Sequence, residues 1–126
     1  MKSKFNSMST EDITRVIDSN EVTIIDVRPI DAYNGWTMQD EPRGGHIKSA
    51  KSLPSKWANY LDWIEIVRSK NISPDDKIVL YGYTSDEIDK VAKLLSEAGY
   101  KNINVYSHFV DEWTANPELP MEHLEE

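Results

Sequence analysis

The order of apolar patterns along this chain predicts an α/β fold: a central, mostly parallel sheet with helices on both faces. Three observations carry the prediction. Short β-branched runs alternate with segments of helical apolar period, the arrangement that strand-helix-strand units require. The run Val22-Thr-Ile-Ile-Asp-Val27 shows no alternation of polar and apolar residues, as a strand buried on both faces demands. With 126 residues, 39% of them apolar and four Trp, the chain forms one domain over residues 1–126, long enough to bury roughly two-thirds of its unfolded surface.

Each element follows from local chemistry. Ser9 caps a helix with Asp12 three residues on, and Ile13, Val16 and Ile17 give that helix an apolar stripe. The Val22 to Val27 strand is stopped by Arg28-Pro29. Asp31 to Trp36 makes a short helix or turn, and the polar loop TMQDEPRGG leads to a short extended piece near Ala50 to Leu53. Pro54-Ser55 opens a helix whose Trp57, Tyr60, Leu61, Ile64 and Val67 keep to one face. Ser73-Pro74-Asp75-Asp76 is a turn. A strand over Ile78 to Tyr81, a helix over Asp86 to Ala98 with Gly99 as its C′ residue, a strand over Ile103 to Tyr106 and a short helix over Phe109 to Trp113 complete the pattern.

Composition removes several function classes. The net charge of -8 disfavours a nucleic-acid or anionic-membrane surface. The chain contains no cysteine, which excludes disulfides, thiolate metal sites and thiol catalysis by its own residues. His108 and His123 lie in an acidic region without metal-ligand spacing, so no metal site and no cofactor is expected. The N-terminus, MKSKFNSMSTED, has a basic start without the apolar stretch of a secretion signal, and no run approaches membrane-spanning length; the compartment is left open. From Asp111 onward there are six carboxylates and no Lys or Arg. Residues 114–126 are therefore expected to be a solvated acidic tail and the start of a linker.

The segment KIVLYGYTSDEIDKVAKLL, residues 77–95, is the most informative. A strand ending in a tight turn at a helix N-terminus is where proteins cradle anions and mount nucleophiles. This turn, Gly82-Tyr83-Thr84-Ser85-Asp86-Glu87, holds no Cys, His, Lys or Arg. Thr84 and Glu87 have capping-box spacing, so the helix satisfies its own N–H groups. Asp86, Glu87 and Asp89 place negative charge at the positive end of the helix dipole.

The motifs, taken in order, resemble a rhodanese (sulfurtransferase) domain over nearly the whole chain. Ile25-Asp-Val-Arg28 matches the end of the family's first core strand. Gly45-His-Ile47 with Ala50 matches its GHIxGA signature, with Ser49 in place of the second glycine. Ile78 to Tyr81 precedes the active loop, and the helix with Val91, Ala92 and Leu95, then Gly99 to Val105, then Glu112-Trp113 follow. In that family a loop cysteine takes a sulfane sulfur from a donor such as thiosulfate and carries it as a persulfide. The cysteine position falls here on Gly82, so the resemblance implies a vestigial loop over Gly82, Tyr83, Thr84, Ser85, Asp86 and Glu87. It implies structural roles for Asp26, Arg28, Gly45 and His46. Tyr33-Asn-Gly-Trp36 resembles an insertion of some multi-domain sulfurtransferases, which makes Tyr33 and Trp36 candidate interface residues.

Two readings follow. The first is a non-catalytic repeat of a tandem thiosulfate or sulfane sulfurtransferase, partnered by another rhodanese domain of the same parent. The second is a free-standing interaction or regulatory module on the same fold. A phosphatase related to the fold is weaker, since it too needs a loop cysteine and a basic cradle.

Overall fold

The computed structural model describes residues 5–19, 21–60 and 62–122. Five parallel strands form the central sheet: β1 (Asn6–Ser7), β2 (Thr23–Asp26), β4 (Lys51–Ser52), β5 (Lys77–Tyr81) and β6 (Asn102–Tyr106), in spatial order β1-β6-β5-β2-β4. The register sets Ile25 beside Leu80 and Leu80 beside Val105. Side chains alternate across a strand, so Ile24 and Ile25 enter opposite cores, and both are buried. The expected two-sided burial of this strand is what the sheet shows.

One core holds Ile25, Ile78, Leu80 and Val105 under α3 (Trp63–Ser69) and α4 (Ser85–Glu97), through Trp63, Val67, Ile88, Val91 and Leu95. The other holds Ile24, Val79, Tyr81 and Tyr106 against Ile13 of α1 (Thr10–Val16), with Phe109 and Trp113 from a π-helical turn, Phe109–Trp113. The capping box on α1 forms in full: Ser9 Oγ accepts from Asp12 N (3.1 Å) and Ser9 N donates to Asp12 Oδ2 (3.0 Å).

Two expectations are corrected. The helix read after Pro54 is broken: a 3₁₀ turn over Ser55–Asn59 ends at Tyr60, whose backbone is extended (φ -80°, ψ 142°), before α3 begins. The break resets the helical phase, so Trp63 and Val67 are buried, Trp57 and Ile64 are half-buried, and Tyr60 is 52% exposed. Leu61, placed on the same face, lies outside the described residues.

Residues 114–122 are not a free tail. Arg43 donates to the carbonyls of Trp113, Thr114, Asn116 and Leu119 at 2.6–3.1 Å. β7 (Met121–Glu122) pairs antiparallel with β3 (His46–Ile47). Glu118 and Glu122 are exposed, but Glu122 Oε1 accepts from Ser49 N (2.9 Å) and the backbone of this stretch is bound to the domain.

The edge strand β1 was not legible at all. Two residues carry no period, and only the neighbouring β6 recruits them.

Candidate functional site

β2 and β5 end side by side, with Asp26 opposite Tyr81, and the loops leaving them meet at Arg28. Its guanidinium is fully buried. Nε and Nη2 donate to Asp26 (2.6–3.1 Å), Nη2 to the Gly45 carbonyl (2.5 Å), and Nη1 to Glu41 Oε2 (3.4 Å). Asp26 Oδ1 also accepts from Arg28 N, and Oδ2 from the Tyr81 hydroxyl (2.8 Å), which itself accepts from Ile47 N (3.0 Å). The Arg28 cation lies over the Phe109 ring (4.5 Å), the Tyr83 ring (5.1 Å) and the Tyr81 ring (5.7 Å). Tyr83, from the loop after β5, donates its hydroxyl to Glu41 Oε2.

Electrostatics follow from this packing. Burial works against the Arg28 charge, but its hydrogen bonds and ion pair with Asp26 hold its pKa above the ordinary arginine value. Burial, then the Asp26 charge, pushes Tyr81 up. Tyr83 rises to about 12, first from burial and then from its bond to Glu41. The network is closed: a buried cation, two carboxylates and two phenols pair with one another.

The predicted loop residues divide. Gly82 is buried and outside the left-handed region. A Cβ placed on it would lie 2.8 Å from Val27 Cγ2, 3.5 Å from Glu87 Oε1 and 3.6 Å from Ile88 Cγ1. Glu87 Oε1 is buried without a hydrogen-bond partner. Val27 Cγ2 is thus the atom a loop side chain would have to displace, and the Glu87 carboxylate would stand beside it at ordinary contact distance. Thr84 caps α4 by accepting from Glu87 N (3.2 Å), while Thr84, Ser85 and Asp86 are exposed. Of the expected capping box, this half is observed.

Asp26, Arg28 and Gly45, which the family motif singled out, are joined by the Arg28 side chain, and Tyr83 joins them through Glu41. Sequence reasoning missed Glu41: an acid in a polar loop carries no signal of burial. It missed the polar role of Tyr81, which looked like an ordinary strand residue. The only available cue was that a buried Arg28 needs counter-charge.

The two glycines before His46 are both required, because a Cβ on Gly44 would collide with the Gly35 carbonyl and Gly45 has φ +106°. His46 is buried. It stacks on Tyr33 (centroids 3.7 Å, planes within 2°) and its Nδ1–H donates to the Tyr33 carbonyl (2.8 Å). Tyr33, expected at an interface with Trp36, is therefore half-buried within its own domain, its hydroxyl donating to the Ala50 carbonyl (2.6 Å). Trp36 stays 70% exposed, close to Met38 in sequence.

One helical turn brings Asp111 and Glu112 to His108, a cluster the residue spacing alone did not announce. His108 Nδ1 lies 3.2 Å from Asp111 Oδ2 and 3.4 Å from Glu112 Oε2, and all three side chains are exposed. His123 lies outside the described residues.

A parallel sheet with this order, an Arg28-centred network beneath the loop after β5, and that loop leading into α4 define a rhodanese-type domain. The chain belongs to the rhodanese-like domain family, whose model matches residues 9–116. It is 30% identical over 105 residues to the thiosulfate sulfurtransferase YnjE of Escherichia coli, covering 81% of this chain and 23% of that protein. It is 49% identical, with a TM-score of 0.93, to the anaerobic ergothioneine biosynthesis enzyme of Chlorobium limicola in complex with its natural substrate trimethyl histidine. That match covers 96% of this chain and 28% of the enzyme. A variant of EanB in complex with ergothioneine covalently linked with a persulfide cysteine matches at 48% identity and a TM-score of 0.94, over 97% of this chain and 29% of that one. The chain spans less than a third of each of these longer proteins. Among the described residues no helix is long and apolar enough to cross a membrane.

Proposed function

We propose that this chain is a non-catalytic rhodanese-like domain of a multi-domain sulfurtransferase, supporting a second rhodanese repeat that carries the reactive cysteine. The observation that carries the reading is the loop after β5. Sulfur transfer through a persulfide needs a thiolate, and the position that would present it is a buried glycine walled in by Val27 and Glu87. The length of the relatives favours a parent with further domains. The greater identity to the ergothioneine enzymes than to the thiosulfate enzyme favours trimethyl histidine as the parent's sulfur acceptor. Trp36 and Met38, exposed on the loop that also supplies Glu41, offer an apolar contact for the neighbouring repeat.

Two sulfur-transfer assays test this. The chain as it stands should move no sulfur from thiosulfate to cyanide above the buffer rate. A longer parent should transfer sulfane sulfur to trimethyl histidine, and lose that activity when a cysteine outside this domain is changed to serine. Turnover by this chain alone would overturn the reading. A parent with no further rhodanese repeat would leave the free-standing interaction module as the better account.

A further inference from the structure

We propose that His108, Asp111 and Glu112 form a binding site for a divalent transition cation of the zinc class, on the exposed face of the turn that follows β6. One ligand atom from each residue lies within 4.8 Å of the other two. The donor set is an imidazole nitrogen with two carboxylates, which suits zinc and its neighbours, whereas magnesium and calcium take oxygen ligands. Of the chain's three histidines, His46 is buried against Tyr33 of α2 (Ile30–Asn34), and His123 lies outside the described residues. His108 is the described imidazole that solvent reaches, with 48% of its side chain exposed.

Three features set this cluster apart from a run of surface acids. The first is spacing. The distances of 3.2 Å and 3.4 Å from His108 Nδ1 to the two carboxylates match a metal's coordination shell: two ligands about 2.1 Å from a tetrahedral zinc ion stand about 3.4 Å apart. The second is rigidity. Phe109 and Trp113 of the same turn are fully buried, and Glu112 N and Trp113 N both donate to the His108 carbonyl (3.0 and 3.2 Å). Anchoring that face sets the residues three and four places after His108 beside it on the outer face. The third is support from α1. Thr10 Oγ1 donates to Glu112 Oε1 (2.7 Å), while Oε2 of the same carboxylate is the oxygen near the imidazole. Metal sites use such outer hydrogen bonds to orient a ligating carboxylate.

Charge favours the same ligand. Among the described residues no lysine or arginine pairs with Asp111 or Glu112, and His108 is the partner of both. With its proton on Nε2, the imidazole presents the Nδ1 lone pair to a cation held between two carboxylates, and a divalent ion balances their charge. Three protein ligands leave a fourth position to water, the open form of zinc coordination. The ion ties the turn to α1 through Glu112 and Thr10, so zinc should raise the thermal midpoint by binding the folded state.

The test is a calorimetric titration of the whole chain with zinc chloride, against magnesium chloride at matched ionic strength, with amide NMR to locate the ion. One-to-one saturation by zinc is expected, with the largest changes at His108, Asp111 and Glu112, and no saturation by magnesium. His108→Ala should abolish zinc saturation; the side chain is exposed, so the variant should fold as the unsubstituted chain does. Thr10→Val keeps all three ligands and should weaken zinc binding about tenfold, the scale of losing an orienting contact. A hydroxyl that serves only the fold would lower the thermal midpoint in Thr10→Val yet leave zinc affinity unchanged, which would count against the site. The proposal is overturned by a zinc titration that does not saturate, by magnesium binding as tightly as zinc, which would mean a diffuse acidic surface, or by saturation unchanged in His108→Ala, which would place the ion elsewhere.

Discussion

Putting the missing thiol back with Gly82→Cys should give a poor nucleophile, and the structure says which residue is responsible. The Cβ itself fits badly: at 2.8 Å from Val27 Cγ2 it forces that side chain to move. Such overpacking costs about 1–3 kcal/mol. The thiol then stands beside Glu87, whose Oε1 lies 3.5 Å from the new Cβ.

A carboxylate at about 5 Å raises the free energy of a thiolate by about 1 kcal/mol in bulk water and about 3 kcal/mol at the dielectric of a protein surface. That corresponds to roughly half a unit to two units of pKa. Glu87 is half-buried, so water screens part of this. The α4 dipole offers about 0.3–1 kcal/mol in the opposite direction, while desolvation of the thiolate adds to the penalty. The balance places the thiol above its ordinary value of about 8.5.

The exposed Asp86 contributes less, so Glu87→Gln in the Gly82→Cys background should lower the pKa more than Asp86→Asn does. Thiolate absorbance against pH, with thiosulfate turnover alongside, measures both. Ionisation well below pH 8 in Gly82→Cys alone, or an Asp86→Asn effect larger than that of Glu87→Gln, would refute the reasoning.

Three further outcomes are expected. Asp26→Ala leaves the buried Arg28 without its main counter-charge and should cost about 3–5 kcal/mol in urea unfolding, whereas Glu41→Ala leaves the Asp26 pair intact and should cost about 1–3 kcal/mol. Stability should fall in alkali: Tyr83 is raised from 10.0 to about 12, with Tyr81 also raised, so their contribution is complete below pH 10 and is lost as pH climbs toward 12; a urea midpoint that stays flat over this range would contradict the network. Ser49 holds φ +70°, a conformation costly for a residue with a Cβ, so Ser49→Gly should leave the thermal midpoint unchanged or raise stability by about 1 kcal/mol at most.

How much was legible depends on the range over which each signal acts. The Ser9-Asp12 box, the end of α4 at Gly99 and the strands over Ile24-Ile25 and Ile78 to Tyr81 are written in neighbouring residues, and the structure has them where the pattern placed them. Periodicity failed after Pro54, because it assumes one unbroken helix and the extended Tyr60 breaks it. The family motif located Asp26, Arg28 and Gly45 but was silent on Glu41, which is thirteen residues from Arg28 along the chain.

From the chain itself came the α/β class, the positions of the main strands and helices, and the lack of any thiol at the loop after β5, since each of these is a matter of residue identity and local period. Only the tertiary structure decided that Glu41 is buried against Arg28, that Glu87 packs beside Gly82, that Arg43 binds the backbone of residues 113–119 and that Ser52 Oγ is buried without a hydrogen-bond partner among the described residues. Those facts depend on which distant segments the sheet brings within hydrogen-bonding distance, and a buried charge or an orphaned hydroxyl is defined by its neighbours in space rather than by its neighbours in sequence.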